Sequence, residues 1–302
     1  MRASPRGGAP LGRPGGRMNL ITWNVQWFRG LDGRVDPARV VAHARSLADF
    51  DILCVQELAD NFPAPLLEGN DDSDQFATLA RLLPGYTVIN GIGADHPGAD
   101  GRRRSFGNAI ATRWPVGQVR RHALPWPADP AVPSSPRVAV EAIVEAPFGA
   151  VRIVTTHLEY WSRLQRDAQV VALRDLHREA HGRALAGRPP RDDGGPFHVH
   201  ATPRATVVTG DFNMGRDDPA YVRMIDAFDD GTSRFHDAWA IVHGELPQPP
   251  TFNVHEKYAS DSMPVACDFV FVSDEVAPRV RDVRVDGDTR FSDHQPVVVT
   301  LD

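Results

Sequence analysis

Short apolar, β-branched runs alternate with helix-period stretches along most of this chain. Residues 20–24, 51–56, 87–89, 108–112, 138–144, 151–156, 206–210, 267–273, 280–285 and 297–301 concentrate Val, Ile, Leu and Phe over short spans and read as strands. Asp36-Pro37 opens a helix to about residue 48, an N-cap followed by proline in the first turn. Val40, Val41, Ala44 and Leu47 fall on one face of it. Ser73 is placed to cap a second helix, which Pro84-Gly85 stops. A long helix fits residues 162–181, and a short one residues 219–228. Strands in both halves, interrupted by helices, predict an α/β chain of the α+β type.

The first 17 residues break this pattern. They hold four arginines, no acid, and many Gly and Pro, without the apolar stretch of a secretory signal. They read as a disordered tail. Met18 stands directly before the first strand and is a second candidate start, which would make the tail a start-site artefact; a basic arm is the other reading. Residues 182–204, rich in Gly, Pro and Arg, read as a surface loop. With no linker or repeat, one domain is expected over residues 18–302.

Composition narrows the class. An apolar share of 42% suffices for a buried core. No apolar run approaches the ~20 residues that span a bilayer. A net charge of −6 argues against a purely electrostatic nucleic-acid binder. Cys54 and Cys267 sit inside strand-like runs and read as buried free thiols. A cytoplasmic monomer is expected.

Polar residues recur where strands end: Asn24, Glu57, His157, Asp211 with Asn213, and Asp293-His294 before the last apolar run. Strand ends converge on one rim of a sheet, so distant residues can share a site. Taken one at a time, each has a plainer reading as a turn or surface residue. Asp268 resists it, because a carboxylate inside an apolar strand costs several kcal/mol unless paired. His294 is an available partner, and an Asp–His pair fixes the tautomer and raises the basicity of the imidazole. Hard oxygen ligands without cysteine suit Mg²⁺ or Mn²⁺, and such a cation beside histidines suits phosphate-ester hydrolysis.

The segments Thr22-Trp23-Asn24-Val25, Val55-Gln56-Glu57, Gly107-Asn108-Ala109-Ile110, Thr156-His157-Leu158, Gly210-Asp211-Phe212-Asn213 and Ser292-Asp293-His294 occur in one order. In that order they resemble the endonuclease/exonuclease/phosphatase superfamily, deoxyribonuclease-I-like, from about residue 18 onward. The resemblance implies a four-layer sandwich, two mostly antiparallel β-sheets packed face to face with helices outside. It implies a Mg²⁺-dependent phosphodiesterase of nuclease type using direct water attack. Phosphomonoesters and lipid or inositol phosphates are the alternative substrates, and an inactive binding module is the distant one. By position, Glu57 is the principal metal ligand with Asn24 beside it and Asp293 in support. Asp211 orients or deprotonates the water, and Asn213 holds the phosphate. His294, oriented by Asp268, binds or protonates a phosphoryl oxygen. His157 matches a second histidine of the nuclease and sphingomyelinase branches. Arg137 and Asn108 are weaker phosphate contacts. Gln26 stands where abasic-site enzymes carry an acid, so the chain departs from that branch. Nucleic acid is among the partners implied.

Other features read more plainly. Arg102-Arg103-Arg104 is a solvated loop or a phosphate-tracking patch. Tyr160-Trp161 packs on the core or stacks on a base. His198 and His200 read as loop residues, and Arg166 and Gln169 as a brace between helix and site.

Overall fold

The computed structural model describes residues 16–186, 194–198, 200–255 and 263–302. Strands are numbered in chain order. One six-stranded sheet holds β1 (Met18–Asn24), β2 (Ile52–Asp60), β3 (Thr87–Pro97), β4 (Arg103–Thr112), β11 (Val280–Val285) and β12 (Val297–Leu301), in the order β11-β12-β1-β2-β4-β3. The other holds β5 (Val116–Ala123), β6 (Val138–Ala146), β7 (Gly149–His157), β8 (Thr206–Asp211), β9 (Phe235–Asp237) and β10 (Asp268–Ser273), in the order β5-β6-β7-β8-β10-β9. Pairing is antiparallel except for β1 with β2 and β7 with β8.

Period-2 alternation builds the layers. Leu20, Ile52, Cys54 and Ile110 of the first sheet meet Val140, Ile153, Val207 and Val270 of the second in a shared core. Their neighbours Ile21, Leu53, Val55 and Ala109 face outward, onto helices α1 (Pro37–Leu47) and α2 (Gln75–Leu82). On the far side, Val154, Val208, Phe269 and Phe271 pack against α3 (Arg163–Leu185) and α4 (Pro219–Ile225). A fifth helix, α5, spans Ala238–His243. The result is the expected four-layer sandwich.

Local signals account for most element ends. Asp36 caps α1 by accepting from the Arg39 amide, as the sequence predicts. The cap of α2 is Asp74 rather than Ser73: its carboxylate accepts from the Ala77 amide. Strand β5 and the short β9 and α5 were not legible in the pattern. β5 lies at a sheet edge, and its half-buried positions include Gln118, Arg120 and His122, with Gly117, Arg121 and Ala123 exposed, which erases an apolar signature. Most of the proposed tail lies outside the described residues, as does Val199 between His198 and His200.

Candidate active site

The parallel pair of β7 and β8 puts two strand ends side by side, whereas β1 ends beside the middle of β2, which runs past Glu57 to Asp60 rather than ending at it as the sequence suggested. Asn24 pairs in register with Gln56, and His157 with Asp211. Asp268 at the start of antiparallel β10 sits opposite Asp211. β12 runs antiparallel to β1, with Val297 opposite Thr22, so the segment before β12 arrives at the same edge carrying Asp293 and His294. Register shifts between Val55 and Leu58 where β2 bulges, and Glu57 there takes φ +64°. A non-glycine residue in that region is strained, and bulges of this kind re-aim side chains.

The side chains meet as a network. Asn24 Nδ2 donates to Glu57 Oε1 at 3.1 Å and to Asp211 Oδ2 at 3.0 Å, while its Oδ1 accepts from the Gln26 amide. As it stands, Asn24 turns its NH₂ rather than its carbonyl toward Glu57. Asp211 is buried; its Oδ1 accepts from the Asn213 amide at 2.9 Å. Its Oδ2 lies 3.5 Å from His157 Nε2 and 3.6 Å from His294 Nε2. His294 Nδ1 lies 2.9 Å from Asp268 Oδ2. Gln26 Nε2 donates to Asp293 Oδ2 at 2.7 Å, and Ser292 Oγ donates to the Asn24 carbonyl. Asn213 donates its side-chain amide to the Leu158 carbonyl, tying the loops after β7 and β8 together.

The two imidazoles around Asp211 differ in charge. Burial, helped by nearby Arg137, depresses His157 to about 3, so it is neutral at pH 7. Burial also opposes charge on His294, but Asp268 and Asp211 outweigh it and raise its pKa well above the imidazole range. Burial would raise the Asp211 carboxyl, yet His294 above all, with hydrogen bonds from Asn24 and the Asn213 amide, holds it below its ordinary value. Glu57 goes the other way: burial and then Asp293 push it up to about 7.

Two donor sets bear on a metal. Asp211, Cys267, Asp268 and His294 have ligand atoms within 4.8 Å of one another and could hold an ion. In this structure Asp268 already bonds His294, and burial followed by the two aspartates keeps the Cys267 thiol protonated. A thiol also suits soft metals rather than Mg²⁺. Glu57 and Asp293 offer oxygen alone. Their mutual repulsion is visible in the raised Glu57, with no Arg or Lys paired to Glu57 among the described residues. A hard divalent cation fits that donor set better.

Arg137 and Asn108 line a small pocket with Gly93, Ser135 and His157. Arg137 Nε donates to Glu159 Oε2 at 3.2 Å, and Asn108 Nδ2 to the Val138 carbonyl. Glu159 is fully buried and was missed in the sequence; its only signal was an acid wedged between Leu158 and two aromatics. Arg166 and Gln169 hold the same segment: Arg166 donates to the Glu159 and Tyr160 carbonyls, and Gln169 accepts from the Glu159 amide. Tyr160 and Trp161 are exposed, which removes their reading as core residues. Arg102 and Arg103 are tied to Asp72 and Asp95 at the β3–β4 turn.

A profile of the Endonuclease/Exonuclease/phosphatase family matches residues 21–294. Curated protein sequences give no match. Among solved structures, an endonuclease/exonuclease/phosphatase from Beutenbergia cavernae superposes with TM-score 0.69 at 24% identity, covering 94% of this chain and 71% of that one. Truncated Caenorhabditis elegans TDP2 gives 0.63 at 19% identity, covering 95% and 98%. A mannosyl-6-phosphatase from Bacteroides thetaiotaomicron gives 0.60 at 20% identity, covering 93% and 98%.

Proposed function

Because the chain belongs to the endonuclease/exonuclease/phosphatase family and is a hydrolase of phosphate esters, we propose that it cleaves phosphodiesters by direct attack of water, with Mg²⁺ as cofactor. One observation carries this reading. Asp211 sits between two imidazoles, 3.5 Å from His157 and 3.6 Å from His294, with a second acid, Glu57, one amide away. Glu57 and Asp293 would hold Mg²⁺, with Mn²⁺ the other cation such oxygens suit; when bound it neutralises phosphoryl and leaving oxygens. Asn24 would serve as the spacer between Glu57 and Asp211.

Asp211 has the position to orient a water for in-line attack. Its carboxylate is fixed on Oδ1 by the Asn213 amide and on Oδ2 by Asn24, so it cannot swing. His294, charged and locked by Asp268, offers an Nε2 proton to a phosphoryl oxygen on which negative charge grows. That makes it the acid of the pair. His157 is neutral and offers hydrogen bonding without charge. Arg137, braced by Glu159, supplies the fixed positive charge on the same side. Asn213 would steady the phosphate through the loop it anchors.

A phosphomonoesterase acting on a sugar phosphate is the second reading. The net charge of −6 favours a small substrate over long duplex DNA. A panel of plasmid, single-stranded DNA, RNA, an aryl phosphodiester, sphingomyelin, inositol phosphates and mannose 6-phosphate, with Mg²⁺ and Mn²⁺, tests both. Metal-dependent cleavage of diesters that vanishes in Asp211→Ala and His294→Ala is expected. Activity that survives both substitutions overturns the assignment, and turnover of monoesters alone selects the second reading.

A further inference from the structure

Three large aromatic side chains stand in solvent, two of them three and four residues beyond His157: Trp126 at 51%, Tyr160 at 51% and Trp161 at 54% exposure. Single exposed aromatics are ordinary. These are unusual in being built onto the catalytic scaffold. Leu158 is pinned on both sides, its amide donating to the Asp211 carbonyl and its carbonyl accepting from Asn213. One residue on, the buried Glu159 carboxylate faces two ways. Oε2 accepts from Arg137 and from the Ser135 amide, and Oε1 accepts from the Trp161 amide at 3.1 Å. A single carboxylate therefore sets the arginine of the His157 pocket and the aromatic pair relative to each other. Arg166 fixes the Tyr160 carbonyl from behind. Gln165 ties the Trp126 loop to the same helix through Pro127 and Ser134.

The rings are presented rather than packed. Tyr160 and Trp161 meet edge to face, with centroids 5.3 Å apart and planes at 89°, which leaves ring faces open. Tyr160 is three residues from His157, a span of at most ~11 Å. That reach suits the group attached to the scissile phosphate.

We infer that Tyr160 and Trp161, with Trp126, form a stacking platform for an unpaired nucleobase next to the scissile phosphate. This rests on the phosphodiesterase reading above. Stacking needs a π-face and no basic surface, which reconciles a nucleotide substrate with an acidic chain. A lipid surface fits less well. Arg163 and Arg166 beside the segment are ion-paired, with Asp167 and Asp218, and so offer no free basic cluster to anionic headgroups.

The test measures binding, so that it does not depend on turnover. In an Asp211→Ala background, fluorescence anisotropy compares a labelled single strand with an otherwise identical strand of abasic nucleotides. The intact strand is expected to bind about tenfold more tightly, the scale of one base on an aromatic ring. Tyr160→Ala/Trp161→Ala should abolish the difference, and Trp161→Phe should keep most of it. Equal binding of both strands overturns the platform, as does an aromatic-dependent affinity for phosphatidylserine vesicles that exceeds that for the strand. Cleavage by the unsubstituted protein is scored separately. Base-dependent binding without diester cleavage would sink the phosphodiesterase reading and leave the platform standing.

Discussion

His294 Nδ1 is 2.9 Å from Asp268 Oδ2, and both side chains are buried at the junction of the two sheets' strand ends. The bond holds the ring in one orientation and keeps the Nε2 proton aimed at Asp211. Asp268→Asn keeps the shape and removes the charge that raises His294. Activity on an aryl phosphodiester should fall about 10²–10⁴-fold. The alkaline limb of the pH–rate profile should move to lower pH, because the imidazolium would then give up its proton earlier. An unmoved limb would show that His294 is not the acid.

The Glu57–Asp293 pair carries the metal prediction. Chelation should abolish activity, and Mg²⁺ should restore it. Glu57→Gln should weaken apparent Mg²⁺ affinity by at least the ~10–100-fold that losing even an outer metal partner produces. Titration calorimetry on the purified protein reads this directly. Unchanged Mg²⁺ binding would move the site to the Asp211–Cys267–Asp268–His294 cluster.

Acid stability should trace to Glu141. Burial alone would raise this carboxyl, but His122, Arg152 and Arg120 outweigh it and hold it well below its ordinary 4.5. A depressed carboxylate stabilises the fold above its unfolded pKa. That stability drains as pH falls from about 4.5 toward the folded value. Glu141→Gln strands the buried Arg152, which donates to Glu141 Oε2 at 2.9 Å, and should cost about 3–5 kcal/mol at pH 7. In urea melts the variant should show a flatter loss below pH 4.5 than the parent.

Gly210 precedes Asp211 with φ +140°, and a Cβ there would overlap the Thr156 carbonyl. Gly210→Ala should therefore push β8 from β7 at the point where His157 and Asp211 lie opposite each other. We expect loss of activity with a lowered melting temperature. A stable, fully active variant would contradict the close approach.

The gathering of these side chains was legible because most of them end strands: an apolar run that stops at a lone Asn, His or Asp announces itself, while Glu57 sits at a bulge within β2. Asp268 was legible for the converse reason, as a charge inside such a run. Glu159 was not, since an acid in a loop gives no hint that it is buried until the fold wraps Arg137, Ser135 and Gln169 around it. The same limit hid β5, whose edge position lets charged residues alternate along it. It also left Tyr160-Trp161 ambiguous between core and surface, a choice decided by where α3 begins rather than by the residues themselves.

β12 lies beside β1, with Leu301 opposite Met18, although nearly the whole described chain separates them. His294 is thus translated 270 residues after Asn24. A chain stopped before residue 294 would carry the proposed metal ligand Glu57 without His294. The proposed acid therefore joins the other site residues only after residue 294 has been made and β12 has found β1.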